Sequence, residues 1–246
     1  MTRSGGAATL PPRAAVLLGG EYIDAGWHRT LAAGADVLIA ADSGAAFLAR
    51  LGVAPHAVVG DFDSLAPHVA AALRADGVEL LAYPTRKDRT DGELAVEEAL
   101  RRGAGEVVLA GALGALDHTL GHLAILRSLA ARGVAARLAA PHLAVAVLDA
   151  PTDVTLGAAA GVRVSLVATG DTATVSLAGL EYPLVRGTLP ADTCLGLGNH
   201  VTARGRARIR VHAGSVTALV GWGDETFAAT QRAACLLYTS PSPRDS

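Results

Sequence analysis

Asp61 and Asp63 stand one residue apart in Gly60-Asp61-Phe62-Asp63-Ser64, directly after the apolar run Ala57-Val58-Val59. In extended backbone residues i and i+2 face the same way, so the two carboxylates converge on one point. Convergent carboxylates invite a divalent cation, and such hard oxygen donors suit Mg²⁺ carrying nucleotide phosphates. The same residues have a plainer use, in which Asp63-Ser64 caps a helix beginning near Leu65 and Asp61 is solvated.

Three further clusters have the types needed to hold a phosphorylated ligand. Asp42-Ser43-Gly44-Ala45 follows the run Val37 to Ala40 and opens a helix, where Gly44 permits close backbone approach and the first N–H groups face an anion. Tyr83-Pro84-Thr85-Arg86-Lys87-Asp88-Arg89-Thr90-Asp91-Gly92-Glu93 crowds three cations and three acids into a loop and a helix start. Thr90 and Glu93 form a capping box there, which leaves Lys87 for a phosphate and Asp91 for a metal, with Asp88 unexplained by capping. Gly111-Ala112-Leu113-Gly114-Ala115-Leu116-Asp117-His118 runs into a helix from Thr119. Its glycines let the chain wrap a ligand and aim Asp117 inward; His118 is a helix-start residue or a general base, and His122 lies on the helix surface.

These clusters gain weight from the elements that carry them. From Arg13 to about Ala140, strand-length apolar runs (Ala14 to Leu18, Val37 to Ala40, Ala57 to Val59, Val78 to Ala82, Glu106 to Ala110, Ala136 to Leu138) alternate with helical segments. Runs without alternation, joined by helices, predict a parallel sheet covered on both faces. All four clusters then fall at the carboxyl edge of one sheet, where open α/β sheets bind ligands. After Thr152 the pattern changes to short alternating segments broken by turns, which predicts an all-β sandwich. The expected fold class is therefore α/β, with a parallel-sheet domain at 13–150, a small all-β sandwich at 151–224, and a tail at 225–246 outside the fold. That tail shares no pattern with the Ala- and Gly-rich body and resembles a translated adapter.

Composition narrows the partners. A 246-residue chain with 51% hydrophobic and 18% charged residues is globular, and a net charge of -2 gives no electrostatic case for nucleic acid or an anionic membrane. No run approaches the roughly 18 apolar residues of a spanning helix, no signal peptide is legible, and two cysteines, Cys194 and Cys235, make no framework, so the cytoplasm is expected. The phosphate loop, the dinucleotide fingerprint, the serine elbow and zinc spacing are all missing from the string; Gly19-Gly20-Glu21 is too short for a fingerprint.

In this order and combination, Asp42 to Ala45, Gly60 to Ser64, Lys87 to Glu93 and Gly111 to His118 resemble the thiamine pyrophosphokinase (thiamine diphosphokinase) family. Gly179-Leu180-Glu181-Tyr182 with Leu184 is similar to a stretch of its C-terminal domain, and the likeness spans about Ala14 to Val220. The resemblance implies a nucleotide-binding α/β domain followed by a thiamine-binding β-sandwich, assembled as a homodimer. It implies transfer of the diphosphoryl group of ATP to the hydroxyl of thiamine, giving thiamine diphosphate and AMP. Carried over, Asp61, Asp63 and Asp91 hold Mg²⁺; Asp42, Ser43, Gly44, Lys87, Asp88 and Thr90 position ATP; Asp117 contacts the hydroxyl side or thiamine, with Asn199 beside the substrate. Trp222 is the best aromatic surface for thiamine's rings or, equally, a core residue at a sheet edge.

Three residues depart from the family pattern. Gly114-Ala115-Leu116 lacks the arginine usual before the Asp-His pair, Gly198-Asn199 replaces a Ser-Asn pair, and Ser43 replaces a glycine. Losing a phosphate-binding arginine costs about 1.5 to 3 kcal/mol unless another cation such as Arg86 or Arg89 replaces it. Two alternatives stay open at this point: a pyrophosphokinase for another small alcohol such as a pterin, and a nucleotide- or thiamine-binding protein without turnover.

Overall fold

The central apolar runs of the first half, Ala14 to Leu18, Val37 to Ala40 and Ala57 to Val59, are strands whose every side chain is buried, as a sheet interior covered on both faces requires. The computed structural model describes residues 11–62, 65–86, 88–203, 205–221 and 237–239. It is a mixed α/β architecture with a large sheet, divided into two compact units: one of residues 1–19 and 28–108, the other of residues 20–27 and 109–246.

In the first unit β1 (Arg13–Leu17), β2 (Val37–Ala41), β3 (Ala57–Gly60) and β4 (Glu79–Ala82) pair in parallel in that order. β5 (Glu106–Ala110) flanks β1, and its residues are shared between the units. All five residues of β2 and all four of β3 are buried, whereas edge strand β4 is partly exposed. The connecting helices are α1 (Ala25–Ala33), α2 (Ser43–Leu51), α3 (Pro67–Ala75) and α4 (Asp91–Arg101). α4 packs across β1, β2 and β3. Arg102 ties the far end of α4 to β4, bonding Glu98 at 2.6 Å and Glu79 at 2.5 Å. The bond from Arg101 holds the Glu98 carboxyl below its usual range against the cost of burial, with Arg102 adding to it.

In the second unit α5 (Leu116–Ala131) is followed by β6 (Ala135–Ala140), β7 (Leu143–Asp149) and then strands alone among the described residues. One sheet runs β12 (Asn199–His200), β9 (Arg163–Ala168), β14 (Ser215–Gly221), β7, β6, with neighbouring strands antiparallel. The other runs β11 (Leu184–Pro190), β10 (Thr172–Ala178), β13 (Arg206–Ala213), β8 (Thr152–Gly157), β15 (Leu237–Thr239), also antiparallel. One face of each sheet turns toward a single core, with Ala146, Leu166 and Ala218 from one and Val154, Val175 and Ile209 from the other, while α5 packs on β6 and β7 and β7 is buried on both faces. Both β6, read from the run Ala136 to Leu138, and β7, not read from the sequence, belong to this unit. β15 is the described part of the tail, and its backbone pairs with β8. Among the described residues no helix is long and apolar enough to cross a membrane.

On β8 and β13 a cross-strand ion cluster sets an acid limit. Asp153 accepts from Arg208 Nε at 2.7 Å and from Arg210 Nε at 2.8 Å, and the bond from Arg208, outweighing desolvation with help from Arg210, lowers its pKa to about 2. An unfolded aspartate titrates near ~3.9, so this pairing stabilises the fold fully above about pH 4 and is lost as pH falls through about 2. Because both arginines are about half exposed, Asp153→Asn is expected to cost only about 1 kcal/mol at pH 7. Urea unfolding at pH 7 and pH 2 checks this; an equal cost at both would contradict it.

Candidate functional site

In the first unit, register brings the expected acidic residues to one edge. Ala41 pairs with Val59 and Gly60 with Ala82, so the chain leaves β2, β3 and β4 side by side, and Tyr83 N–H extends the ladder to Gly60 O at 3.0 Å. Adjacent strands lie about 4.8 Å apart, which puts Asp42 and Asp61 at neighbouring exits.

Asp42 has φ 46° and ψ -121°, a costly backbone for a residue with a Cβ, and its N–H is held by Val59 O at 3.1 Å. Although it occupies the N-cap position of α2, its carboxylate makes no capping bond. The carboxylate instead lies over Gly60, where a Cβ would collide with Asp42 Oδ1. A helix start alone does not explain this aspartate. α2 begins at Ser43, two residues earlier than its apolar periodicity indicates, so Ser43 and Gly44 sit in its first turn. A Cβ on Gly44 would strike Leu17 O, so only glycine lets the head of α2 close on the end of β1.

Asp61 is half-buried beyond β3, followed by Phe62 at φ 63°, a second strained residue at this edge. Asp91 is the half-buried first residue of α4, while Asp88 is exposed. The capping box read from the sequence is present: Thr90 N–H donates to Glu93 Oε2 at 2.7 Å and Glu93 N–H to Thr90 Oγ1 at 3.2 Å. The Thr90 hydroxyl also donates to Glu93 at 3.0 Å, so its proton is already committed. Asp63, Ser64, Lys87 and Trp222 lie outside the described residues. Among the described residues no three His, Cys, Asp or Glu side chains gather as a metal site; the expected trio includes Asp63.

Gly60→Ala separates geometry from stability at this edge. The added methyl meets the mobile end of the Asp42 side chain rather than backbone, so a stability change under about 1 kcal/mol is expected. Displacing that carboxylate is expected to lower kcat/KM by about 10- to 100-fold. Thermal melts and steady-state kinetics check this; unaltered kinetics would contradict it.

In the second unit, Asp117 is an exposed first-turn residue of α5, and its Oδ1 accepts from His118 N–H at 2.8 Å. The helix starts at Leu116, not Thr119: Ala115 O already accepts from Thr119 N–H at 3.0 Å and from the Thr119 hydroxyl at 3.1 Å. Asp117 therefore meets the positive end of the helix dipole. His122 is not surface decoration. It is half-buried and its Nδ1 bonds Ala112 O at 2.8 Å, with burial pushing its pKa down. Gly20 N–H holds Gly111 O at 2.8 Å and Glu21 N–H holds Leu113 O at 2.9 Å. Three consecutive carbonyls before Asp117 are thus tied down, and Gly20 is too close to Gly111 and Leu113 to carry a Cβ. The Gly-Gly pair was visible in sequence, but its partner was not.

Asn199 is buried, and its amide bridges backbone: Oδ1 accepts from Tyr182 N–H at 3.0 Å and Nδ2 donates to Tyr182 O at 2.8 Å. That accounts for an asparagine without a ligand. An open cleft of about 560 Å³ in this unit is lined by Arg127 and Ser128 of α5 and by Asp149, Thr169, Thr172 and Ser215; no site residue read from the sequence lines it.

Residues 28–138 match the family described as thiamin pyrophosphokinase, catalytic domain. No curated protein sequence matches the chain significantly. Among solved structures, the fold is similar to thiamine pyrophosphokinase from Bacillus subtilis (TM-score 0.75, 20% identity, 86% of this chain and 99% of that one). It is also similar to thiamin pyrophosphokinase from Geobacillus thermodenitrificans (TM-score 0.73, 23% identity, 86% and 98%) and from Candida albicans (TM-score 0.72, 12% identity, 87% and 90%). Residues 28–138 therefore carry a domain of the thiamin pyrophosphokinase catalytic family.

Proposed function

We propose that the chain transfers the diphosphoryl group of ATP to the hydroxyl of thiamine, releasing AMP. The observation that carries this reading is the Asp42 carboxylate laid against Gly60, one residue from Asp61, within the segment that matches the catalytic domain.

The first-turn N–H groups of Ser43 and Gly44 are donors for a phosphate, favoured by the dipole of α2. Lys87 adds a cation for the phosphate oxygens, and Asp88 and Thr90 complete the ATP contacts carried over from the family. The carboxylates of Asp61, Asp63 and Asp91 form an oxygen donor set suited to Mg²⁺ rather than to a softer metal. When bound, that ion supplies charge neutralisation on the phosphates. The thiamine O–H bond breaks and its proton is released to solvent, its oxygen bonds the β-phosphorus, and the bond from that phosphorus to the oxygen retained by AMP breaks. Such a transfer depends on in-line placement and electrostatics, so the protein's task is to hold both substrates still. To Asp117 we assign the contact with thiamine or its hydroxyl that the family likeness gives it; Asn199 and Trp222 are assigned to the thiamine side. The working form is a cytoplasmic homodimer, without nucleic acid or membrane partners.

An acceptor comparison tests this reading. Purified protein with ATP and Mg²⁺ is expected to release AMP with thiamine and not with a hydroxymethylpterin. AMP formed only with the pterin would move the acceptor, and binding without AMP would remove the enzyme reading.

A further inference from the structure

The outer face of the sheet formed by β10, β11 and β13 carries a polar network joining Ser176, Arg186 and His212. Two residues, Val185 and Arg186, oppose the single residue Ser176 where the register shifts between Val175 and Leu177. This bulge puts Arg186 at φ 49°, a strained conformation for a side chain of its size. Arg186 N–H donates to Ser176 Oγ at 2.9 Å, and Arg186 Nη1 lies 3.3 Å from His212 Nδ1. Ser176 Oγ is 2.7 Å from His212 Nε2.

Arginine can only donate, so His212 Nδ1 is the acceptor and the ring proton is on Nε2. Nε2–H then donates to Ser176 Oγ, filling its second lone pair. His212 cannot act as a base toward Ser176, and the pair is no nucleophile. What this network leaves open is the Ser176 hydroxyl proton and the rest of the Arg186 guanidinium; Arg210, opposite Ser176 across the strands, has Nε and Nη2 on Asp153. Arg206, Arg208, Arg210 and His212 alternate along β13 on this side, and Asp153 neutralises only Arg208 and Arg210, both about half exposed.

We propose that Arg186 and Ser176, positioned by His212 and with the Asp153-paired Arg210 beside them, form an oxyanion site for a phosphate-bearing small ligand, independent of the thiamine reading. The groups that Arg186 and Ser176 leave open are donors, and a tetrahedral anion accepts from both together. It also offsets the charge of Arg186 and Arg210 near His212, whose pKa is pushed down by desolvation and then by these two cations, against a smaller upward pull from Asp153.

Nuclear magnetic resonance of the His212 ring nitrogens during titration with inorganic phosphate, against chloride at matched ionic strength, tests the site. The free protein is expected to show the proton on Nε2, and phosphate to give a saturable shift with a dissociation constant of about 1 mM or below. Diphosphate in a second arm is expected to bind at least as tightly, and acetate more weakly. Arg186→Gly removes the guanidinium while relieving the positive φ, so it is expected to keep the fold and weaken phosphate by about tenfold or more. Ser176→Ala, a second variant at a different strand, is expected to weaken it about threefold. A proton on Nδ1, a shift that does not saturate, or equal phosphate affinity in both variants would overturn the proposal.

Discussion

Asp61→Ala is expected to lower turnover of ATP and thiamine by about 10³-fold or more, equivalent to about 4 kcal/mol of transition-state stabilisation. The side chain is half-buried at the end of a fully buried strand, beside the residue whose missing Cβ admits the Asp42 carboxylate. It is not part of the core, so the melting temperature is expected to change by only a few degrees. Magnesium titration calorimetry of both proteins with ATP present should show weakened metal binding in the variant. Activity retained to within about tenfold, with unaltered magnesium affinity, would deny Asp61 the role given to it.

Gly44→Ala is expected to do the opposite kind of damage. Its Cβ would strike the carbonyl of Leu17, an atom fixed in the buried ladder between β1 and β2, and nothing nearby is free to swing away. Overpacking against backbone costs about 2 to 3 kcal/mol, a fall of about 5 to 10 °C in Tm for a chain of this size. Thermal unfolding of the purified variant checks this, and an unchanged Tm would mean that the head of α2 yields more easily than its packing implies. Together with Gly60→Ala it distinguishes a glycine kept for packing from one kept for a side chain's placement.

The first-unit strands were legible because burial on both faces leaves uninterrupted apolar runs, as in Val37–Ala41 and Ala57–Gly60. α4 was legible from Thr90 and Glu93, whose capping box is a local interaction written within four residues. The alternation of β10 and β13 was legible for the reason that one face of each meets a shared core. α1 was not foreseen: Gly26, Trp27 and Thr30 are weak helix formers, and its buried His28 is placed by an edge-to-face contact with Phe47 at 5.2 Å, distant in sequence. β7 was missed because an apolar run at the end of an α/β pattern gives no sign that it turns back antiparallel to β6.

At the candidate site, residue types were readable but their commitments were not. Nothing in the string told that the Asp42 carboxylate leaves its own helix for Gly60, that His122 holds Ala112 O, or that Asn199 spends its amide on Tyr182. Each depends on a partner brought close only by folding. The network of Ser176, Arg186 and His212 is the extreme case, since its three members lie on three strands and carry no motif.

The nucleotide product decides the central claim most directly. Phosphorus magnetic resonance of a reaction holding purified protein, ATP, Mg²⁺ and thiamine should show AMP and thiamine diphosphate rising together in equal amounts, with Asp61→Ala silent. ADP appearing with thiamine monophosphate, or no thiamine-dependent change in the ATP signals, would contradict it.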